Sequence, residues 1–191
     1  MEEKIRKIIN ESGLLKEKIL KDDVFISKIK AVVGEMIKAF KKEKKVLIAG
    51  NGGSAADAQH IAAELSGKFR IDRPPLNAEA LHVNTSFLTA VANDYSYDEV
   101  FARLIDAKGS EGDIFIGIST SGKSSNIIKA LERAKSKKMI TVGFTGENTK
   151  EFEPFCDFIL NVPSKDTPRI QEVHILLGHI ICELVEESFF S

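Results

Sequence analysis

The chain has 191 residues, 43% of them hydrophobic and 29% charged, with a formal net charge of −1. That length and balance fit one globular domain and provide no bulk attraction to nucleic acid or to an anionic membrane. Cys156 and Cys182 stand in no metal-type spacing and fit a reducing compartment rather than a disulfide framework. The opening MEEKIRKII is too charged for a secretory signal, and no run approaches the ~18 apolar residues of a membrane span. A cytoplasmic protein is expected.

Residues 1–45 read as two helices. The first carries Ile5, Ile8, Ile9, Leu15 and Ile19. The second carries Phe25, Ile29, Val32, Val33, Met36, Ile37 and Phe40 at spacings of three and four. Asp22-Asp23 suits a helix start, and the basic run 41–45 suits a solvated helix end. Such an arm is expected to pack on a sheet or on another subunit. Residues 46–49 form an apolar strand that turns through Gly50-Asn51-Gly52-Gly53-Ser54 into a helix bearing Ala58, Ile61, Ala62 and Leu65. Asp72-Arg73-Pro74-Pro75 cannot continue a helix.

Residues 78–83 are a second strand, 85–91 a short helix and 93–95 a turn. Residues 97–107 are a helix with Val100, Phe101, Leu104 and Ile105 inward. After Gly109 and Gly112 come a strand at 113–118, a hydroxyl-rich turn, a helix at 126–134, and strands at 139–144 and 158–162. A loop at 163–168 leads into a long apolar helix at 169–187. Alternating strands and helices imply a parallel sheet covered on both faces. Ligands of such sheets bind at the carboxyl ends of strands, where the turns 50–54 and 119–124 both lie.

The first turn fits the loose pattern G-x-G-x-x-[GA], which invites a dinucleotide reading. That reading wants a carboxylate at the end of the next strand, and Leu81-His82-Val83-Asn84 supplies none. A turn glycine-rich only for its backbone geometry is the plainer alternative. A turn that binds a polar ligand through N–H groups at a helix start is favoured. Residues 117–124, GISTSGKS, match the P-loop pattern letter for letter. Three features argue against a nucleotide triphosphatase: Gly117 lies inside the strand, the loop follows the third strand rather than the first, and the fourth strand ends in Thr145-Gly146 with no Asp for magnesium. What survives is chemical. The hydroxyls of Ser119, Thr120, Ser121 and Ser124 beside a helix start suit a phosphate monoester, and Lys123 either adds charge or faces solvent.

His60 and Glu64 are one helical turn apart and share a face. An isolated pair of this kind reads as a surface pair, but beside a glycine turn at a strand end a functional role is favoured. The last helix adds Gln171, Glu172, His174 and His179 within an apolar segment. Helical geometry does not choose among them: Glu172 and His179 are nearly aligned, while Gln171 and His179 diverge by about 80°. A lone histidine there is more often a packed core residue.

The blocks AGNGGSAADAQHIAAEL, TAVANDYSYDEVFAR, GDIFIGISTSG and TPRIQEVHILLGHI occur in this order along the chain. On these the sequence resembles the sugar isomerase (SIS) domain family and, within it, the phosphoheptose isomerases, over nearly its whole length. The resemblance implies a three-layer α/β sandwich with a central parallel five-stranded sheet of Rossmann-like, flavodoxin type. A single domain would span 1–191, with an N-terminal helical arm at 1–45 and an α/β core at 46–191. It implies zinc ligands at His60, Glu64, Gln171 and His179. Implied substrate contacts are Asn51, Gly52, Gly53, Glu64, Asn93, Asp94, Ser119, Thr120, Ser121, Ser124 and Gln171. It thereby selects Gln171 and His179 on the last helix and leaves Glu172 and His174 to packing or to a subunit contact. Lys123 departs from the family where relatives often have Asn, and Lys68 and Pro168 depart where some have Arg and Asp.

The implied reaction interconverts sedoheptulose 7-phosphate and D-glycero-D-manno-heptose 7-phosphate, an early step of bacterial heptose synthesis for lipopolysaccharide or capsule. Glu64 is expected to be the base between C1 and C2, and His179 the acid and base on the oxygens. The implied assembly is a homotetramer, with no nucleic acid or membrane partner. The alternative is a non-catalytic SIS regulator that binds a sugar phosphate or the replication initiator protein. Such a protein need not keep both Glu64 and His179.

Overall fold

The computed structural model describes residues 1–190. Its elements in chain order are α1 (Glu2–Leu20), α2 (Asp23–Lys41), β1 (Val46–Gly50), α3 (Gly53–Ser66), β2 (Ala78–Ala80), α4 (Thr85–Asp94), α5 (Val100–Lys108), β3 (Ile114–Ser119), α6 (Ser125–Ser136), β4 (Ile140–Thr145), β5 (Phe158–Asn161) and α7 (Thr167–Phe190), with single 3-10 turns at Leu81–Val83 and Tyr97–Glu99. The five strands form one sheet in the order β2-β1-β3-β4-β5, and every neighbouring pair is parallel. This is the doubly wound arrangement expected from the alternating pattern.

The period of two along the strands builds the layers. Val46, Ile48, Ile114, Ile116, Ile118, Val142, Phe144 and Leu160 point into one core with α2, α3 and α7. Leu47, Ala49 and Phe115 point into the other, with α5 and α6. Gly117 faces α6 so closely that an added Cβ would stand 2.8 Å from Ile127 Cγ2. Glycine at mid-strand is therefore a packing requirement, and the P-loop match that starts there is accidental.

The N-terminal helices divide. Asp22 caps α2 by accepting from Phe25 N at 2.9 Å. Its residues Phe25, Ile29, Val32, Met36 and Phe40 are buried against the chain's own core. By contrast, Ile5, Ile8 and Ile9 of α1 are 50%, 41% and 66% exposed, and only Ile19 is buried on this helix. The basic run is not wholly solvated: Lys45 Nζ lies 2.7 Å from Asp113 Oδ2, and Asp113 is 1% exposed.

Three further expectations need correction. The second strand stops at Ala80, because Leu81 to Val83 curl into a 3-10 turn that buries Leu81 under the sheet edge. Asn93 and Asp94 end α4 rather than forming a turn of their own. The last helix begins at Thr167, so Pro168 falls in its first turn, where a missing N–H costs nothing.

Candidate active site

The strand order reverses around β1. The chain passes from β1 to β2 on one side and returns to β3 on the other. The crevice between the carboxyl ends of β1 and β3 is the place where sheets of this kind hold ligands, and both candidate turns open onto it.

The turn after β1 is closely built. A Cβ on Gly50 would lie 2.4 Å from Ser54 O, and Gly52 has φ +55°, a conformation natural to glycine. A Cβ on Gly53 would lie 2.5 Å from Gln171 Nε2, so the amide of Gln171 rests directly on this turn. Asn51 and Asn126 hydrogen-bond amide to amide, and the Tyr97 hydroxyl donates to Asn51 Oδ1 at 3.1 Å. Asn126, 3% exposed on α6, and Tyr97 are site-shaping residues that the sequence reading missed. Nothing local marks them, since Asn126 meets a partner 75 positions away.

The turn after β3 gathers hydroxyls. Ser119 Oγ lies 2.9 Å from Ser124 Oγ and 3.4 Å from Ser121 Oγ, and Ser121 Oγ accepts from Lys123 N at 3.2 Å. Gly122 has φ +64°, and a Cβ there would stand 2.3 Å from the Asn148 carbonyl oxygen. Ser124 is the N-cap position of α6 and makes no side-chain cap bond, which leaves the first N–H groups of that helix facing the turn. Thr120 is half-buried in the same turn, and Lys123 is exposed.

On α3, His60 Nε2 lies 3.0 Å from Glu64 Oε1, with their side chains 48% and 22% exposed. The His179 ring of α7 stands edge-on to that of His60, with centroids 5.0 Å apart. One ligand atom from each of His60, Glu64 and His179 falls within 4.8 Å of the others. Two imidazoles and a carboxylate are a zinc-type donor set, so the residues fit the metal that the family resemblance implies. Asp57, one turn before His60, has its carboxyl pushed up to about 6 by burial, against the opposing pull of His60, and its Oδ2 has no partner among the described residues. Cys182 lies behind the cluster, its thiol pushed up to about 12 chiefly by burial and then by Glu64, which rules it out as a nucleophile at neutral pH.

The last helix now divides clearly. His174 is fully buried beside Phe144, and its Nε2 lies 3.1 Å from Thr145 O. Glu172 pairs with Arg169. Gln171 and His179 reach the glycine turn and the His60–Glu64 pair respectively. The structure therefore brings together His60, Glu64 and His179, joins Gln171 to Gly53, and links Ser119, Ser121 and Ser124. Asn93 and Asp94, exposed at the end of α4, hydrogen-bond to each other at 2.9 Å rather than to another candidate.

Comparison with known proteins identifies the family and the fold. The family described as the SIS domain matches residues 12–146. The phosphoheptose isomerase of Clostridium acetobutylicum is 55% identical over 183 residues, covering 96% of this chain and 93% of that protein. That of Aneurinibacillus thermoaerophilus is 53% identical, covering 100% and 96%. The solved phosphoheptose isomerase GmhA of Neisseria gonorrhoeae superposes with a TM-score of 0.91 at 38% identity, covering 97% and 98%.

Proposed function

The chain belongs to the SIS domain family, and from that premise we propose how its crevice acts as a phosphoheptose isomerase. The enzyme is an aldose–ketose isomerase that interconverts sedoheptulose 7-phosphate and D-glycero-D-manno-heptose 7-phosphate, as the names and full-length identity of its relatives support. The observation that carries the reading is the meeting of Glu64 and His179, 115 positions apart, beside a glycine turn at the switch point of the sheet.

The reaction moves one proton between neighbouring carbons and redistributes protons on two oxygens. Glu64 takes the proton from C1 of the ketose while His179 gives one to the carbonyl oxygen at C2, which yields the enediol. Glu64 then returns its proton to C2 while His179 takes the proton from the oxygen on C1, which leaves the aldehyde. Both catalysts end as they began. General acid–base steps of this kind contribute roughly 10²–10⁴-fold each. The hydroxyls of Ser119, Thr120, Ser121 and Ser124 and the N-terminus of α6 bind the 7-phosphate. The turn Asn51-Gly52-Gly53 and the pair Asn93–Asp94 orient the sugar. His60, Glu64, Gln171 and His179 would hold zinc, which supplies Lewis-acid polarisation of the sugar carbonyl. Because an amide is a weak ligand for zinc, exchangeable metal is expected.

The product feeds heptose synthesis for lipopolysaccharide or capsule in the cytoplasm, with no nucleic acid or membrane partner. No helix among the described residues is long and apolar enough to cross a membrane. A homotetramer is the proposed assembly. The exposed Ile5, Ile8, Ile9 and Leu14 of α1 and Val24 and Ile26 of α2 support it, since such a run of apolar side chains favours a partner surface. The direct test is an assay with sedoheptulose 7-phosphate on metal-stripped and zinc-loaded protein. Turnover supports the enzyme, whereas sugar-phosphate binding without turnover would favour the regulator, a reading against which Glu64 and His179 both argue.

A further inference from the structure

The buried pair Arg73–Glu186 lies outside every residue assigned above. Both side chains are 2% exposed, and Arg73 Nε donates to Glu186 Oε2 at 2.8 Å. The carboxylate also accepts from three successive backbone N–H groups: Phe69 at 3.1 Å, Arg70 at 2.7 Å and Ile71 at 3.1 Å. The guanidinium in turn donates to four carbonyls. Nη2 reaches Glu64 O at 2.8 Å, and Nη1 reaches Leu65 O at 2.7 Å, Gly67 O at 2.9 Å and Pro74 O at 3.1 Å. A buried ion pair is tolerable only when its remaining donors and acceptors are met, and here they are.

The partners matter more than the pair. Glu64 O and Leu65 O belong to the last turn of α3, whose carbonyls lack intrahelical donors, and a cation at that end also suits the helix dipole. Arg73 thus caps the last turn of α3, the turn that carries the candidate base Glu64. Glu186 stands on α7, seven positions after His179 and so nearly on the same face. Between them Glu183 binds Arg70 at 3.0 Å. His179, Glu183 and Glu186 therefore present one stripe of α7 to the loop of residues 67–73. In that loop the Phe69 ring stacks on the His179 imidazole, with centroids 5.8 Å apart and planes 22° apart. With His60 edge-on, the imidazole is held between two rings.

We propose that Arg73 and Glu186 are positioning residues of the active site: by locking the 67–73 loop between α3 and α7, they hold Phe69 against His179 and fix the helical turn that bears Glu64. This inference rests on the isomerase reading for its kinetic consequence, but not for its structural one. A misplacement of about 1 Å in a catalytic group costs on the order of 10²-fold in rate. An ion pair that served stability alone would leave His179 where it is.

Four variants test the proposal in the full-length protein: Glu186→Gln, Arg73→Lys, Phe69→Leu and the apolar double variant Arg73→Met/Glu186→Leu. The double variant removes both charges together, so that neither is left buried and unpaired. Phe69→Leu, which keeps the ion pair and its backbone partners, reads the contact with His179 where the other variants do not fold. Hydrogen exchange of the Phe69, Arg70 and Ile71 amides reads the loop, and the ring-proton NMR signal of His179 reads the imidazole. In all variants except Phe69→Leu the three amides exchange at least ~10-fold faster. In all four the His179 signal moves and kcat falls ~10-fold or more, while KM changes less than about 3-fold because the phosphate turn is untouched. Folded double variant with the wild-type His179 signal and wild-type kcat overturns the proposal. If the wild-type protein itself shows no isomerase activity, the functional reading fails, and the positioning proposal stands or falls on the His179 signal alone.

Discussion

The amide of Asn51 shares two hydrogen bonds with that of Asn126, each 2.9 Å long, and takes a third from the Tyr97 hydroxyl at 3.1 Å. Both lone pairs of Asn51 Oδ1 and one Nδ2 proton are therefore engaged, which leaves a single N–H for a ligand. The glycine turn thus presents one fixed side-chain donor rather than a freely rotating amide.

Asn126→Ala releases that amide. The expected outcome is a rise in KM for the sugar phosphate of about 10-fold, with a smaller change in kcat, since an unpinned donor weakens binding by on the order of 1–2 kcal/mol. Tyr97→Phe, which removes one of the three bonds, has a smaller effect in the same direction. Steady-state kinetics on the two variants check the ranking, and equal KM values in wild type and Asn126→Ala would contradict it.

A second prediction concerns acid stability. Burial holds the His174 imidazole down to about 4, against the opposing effect of its bond to Thr145 O. A histidine with a depressed folded pKa contributes stability that is present above its unfolded value, ~6.5, and lost as pH falls toward 4, because the unfolded chain takes up a proton that the native state refuses. By pH 5 the loss is about 2 kcal/mol. Asp57, raised to about 6, works the other way: its stabilising contribution is lost as pH rises from the ordinary carboxylate range through 6. The comparison that isolates His174 is therefore wild type against His174→Gln. Urea unfolding at pH 7.5 and pH 5 will show a smaller pH-dependent loss in the variant, and parallel losses would refute the assignment.

A third prediction concerns assembly. Ile5, Ile8, Ile9, Leu14, Val24 and Ile26 leave an apolar surface on α1 and the start of α2 that this chain does not cover. Light scattering of active protein will give about four times the chain mass of 21.1 kDa. Ile5→Lys combined with Ile9→Lys will lower that mass without unfolding the core, since neither residue is buried. A single-chain mass in active solution would contradict the tetramer.

The parts of this molecule that were legible in the sequence are those whose signal is local. The apolar run at 46–49, the glycine turn and the helical spacing after it place β1, α3 and the pair His60–Glu64 directly, and the burial of Val100, Phe101, Leu104 and Ile105 follows from spacing alone. The Leu81-His82-Val83 segment misleads because an apolar run looks the same whether it extends or curls against a sheet edge. Ile5, Ile8 and Ile9 leave the choice between the sheet and another subunit open, because periodicity reports that a face is apolar, not what covers it. Gln171, Glu172, His174 and His179 could not be ranked from helical angles, since each has a different neighbour: a glycine turn, an arginine, a strand end and the His60–Glu64 pair. Arg73, Asn126 and Glu186 carry no local mark, because their roles lie in partners up to 117 positions away.

The central claim is that Glu64 moves the proton between C1 and C2 while His179 serves the oxygens. The most direct measurement is turnover of sedoheptulose 7-phosphate by zinc-loaded wild type and Glu64→Gln, with bound zinc quantified in both. The account predicts that Glu64→Gln, compared at equal zinc content, loses at least ~100-fold in kcat while still binding the sugar phosphate through the turn after β3. Near-normal turnover in Glu64→Gln would contradict it.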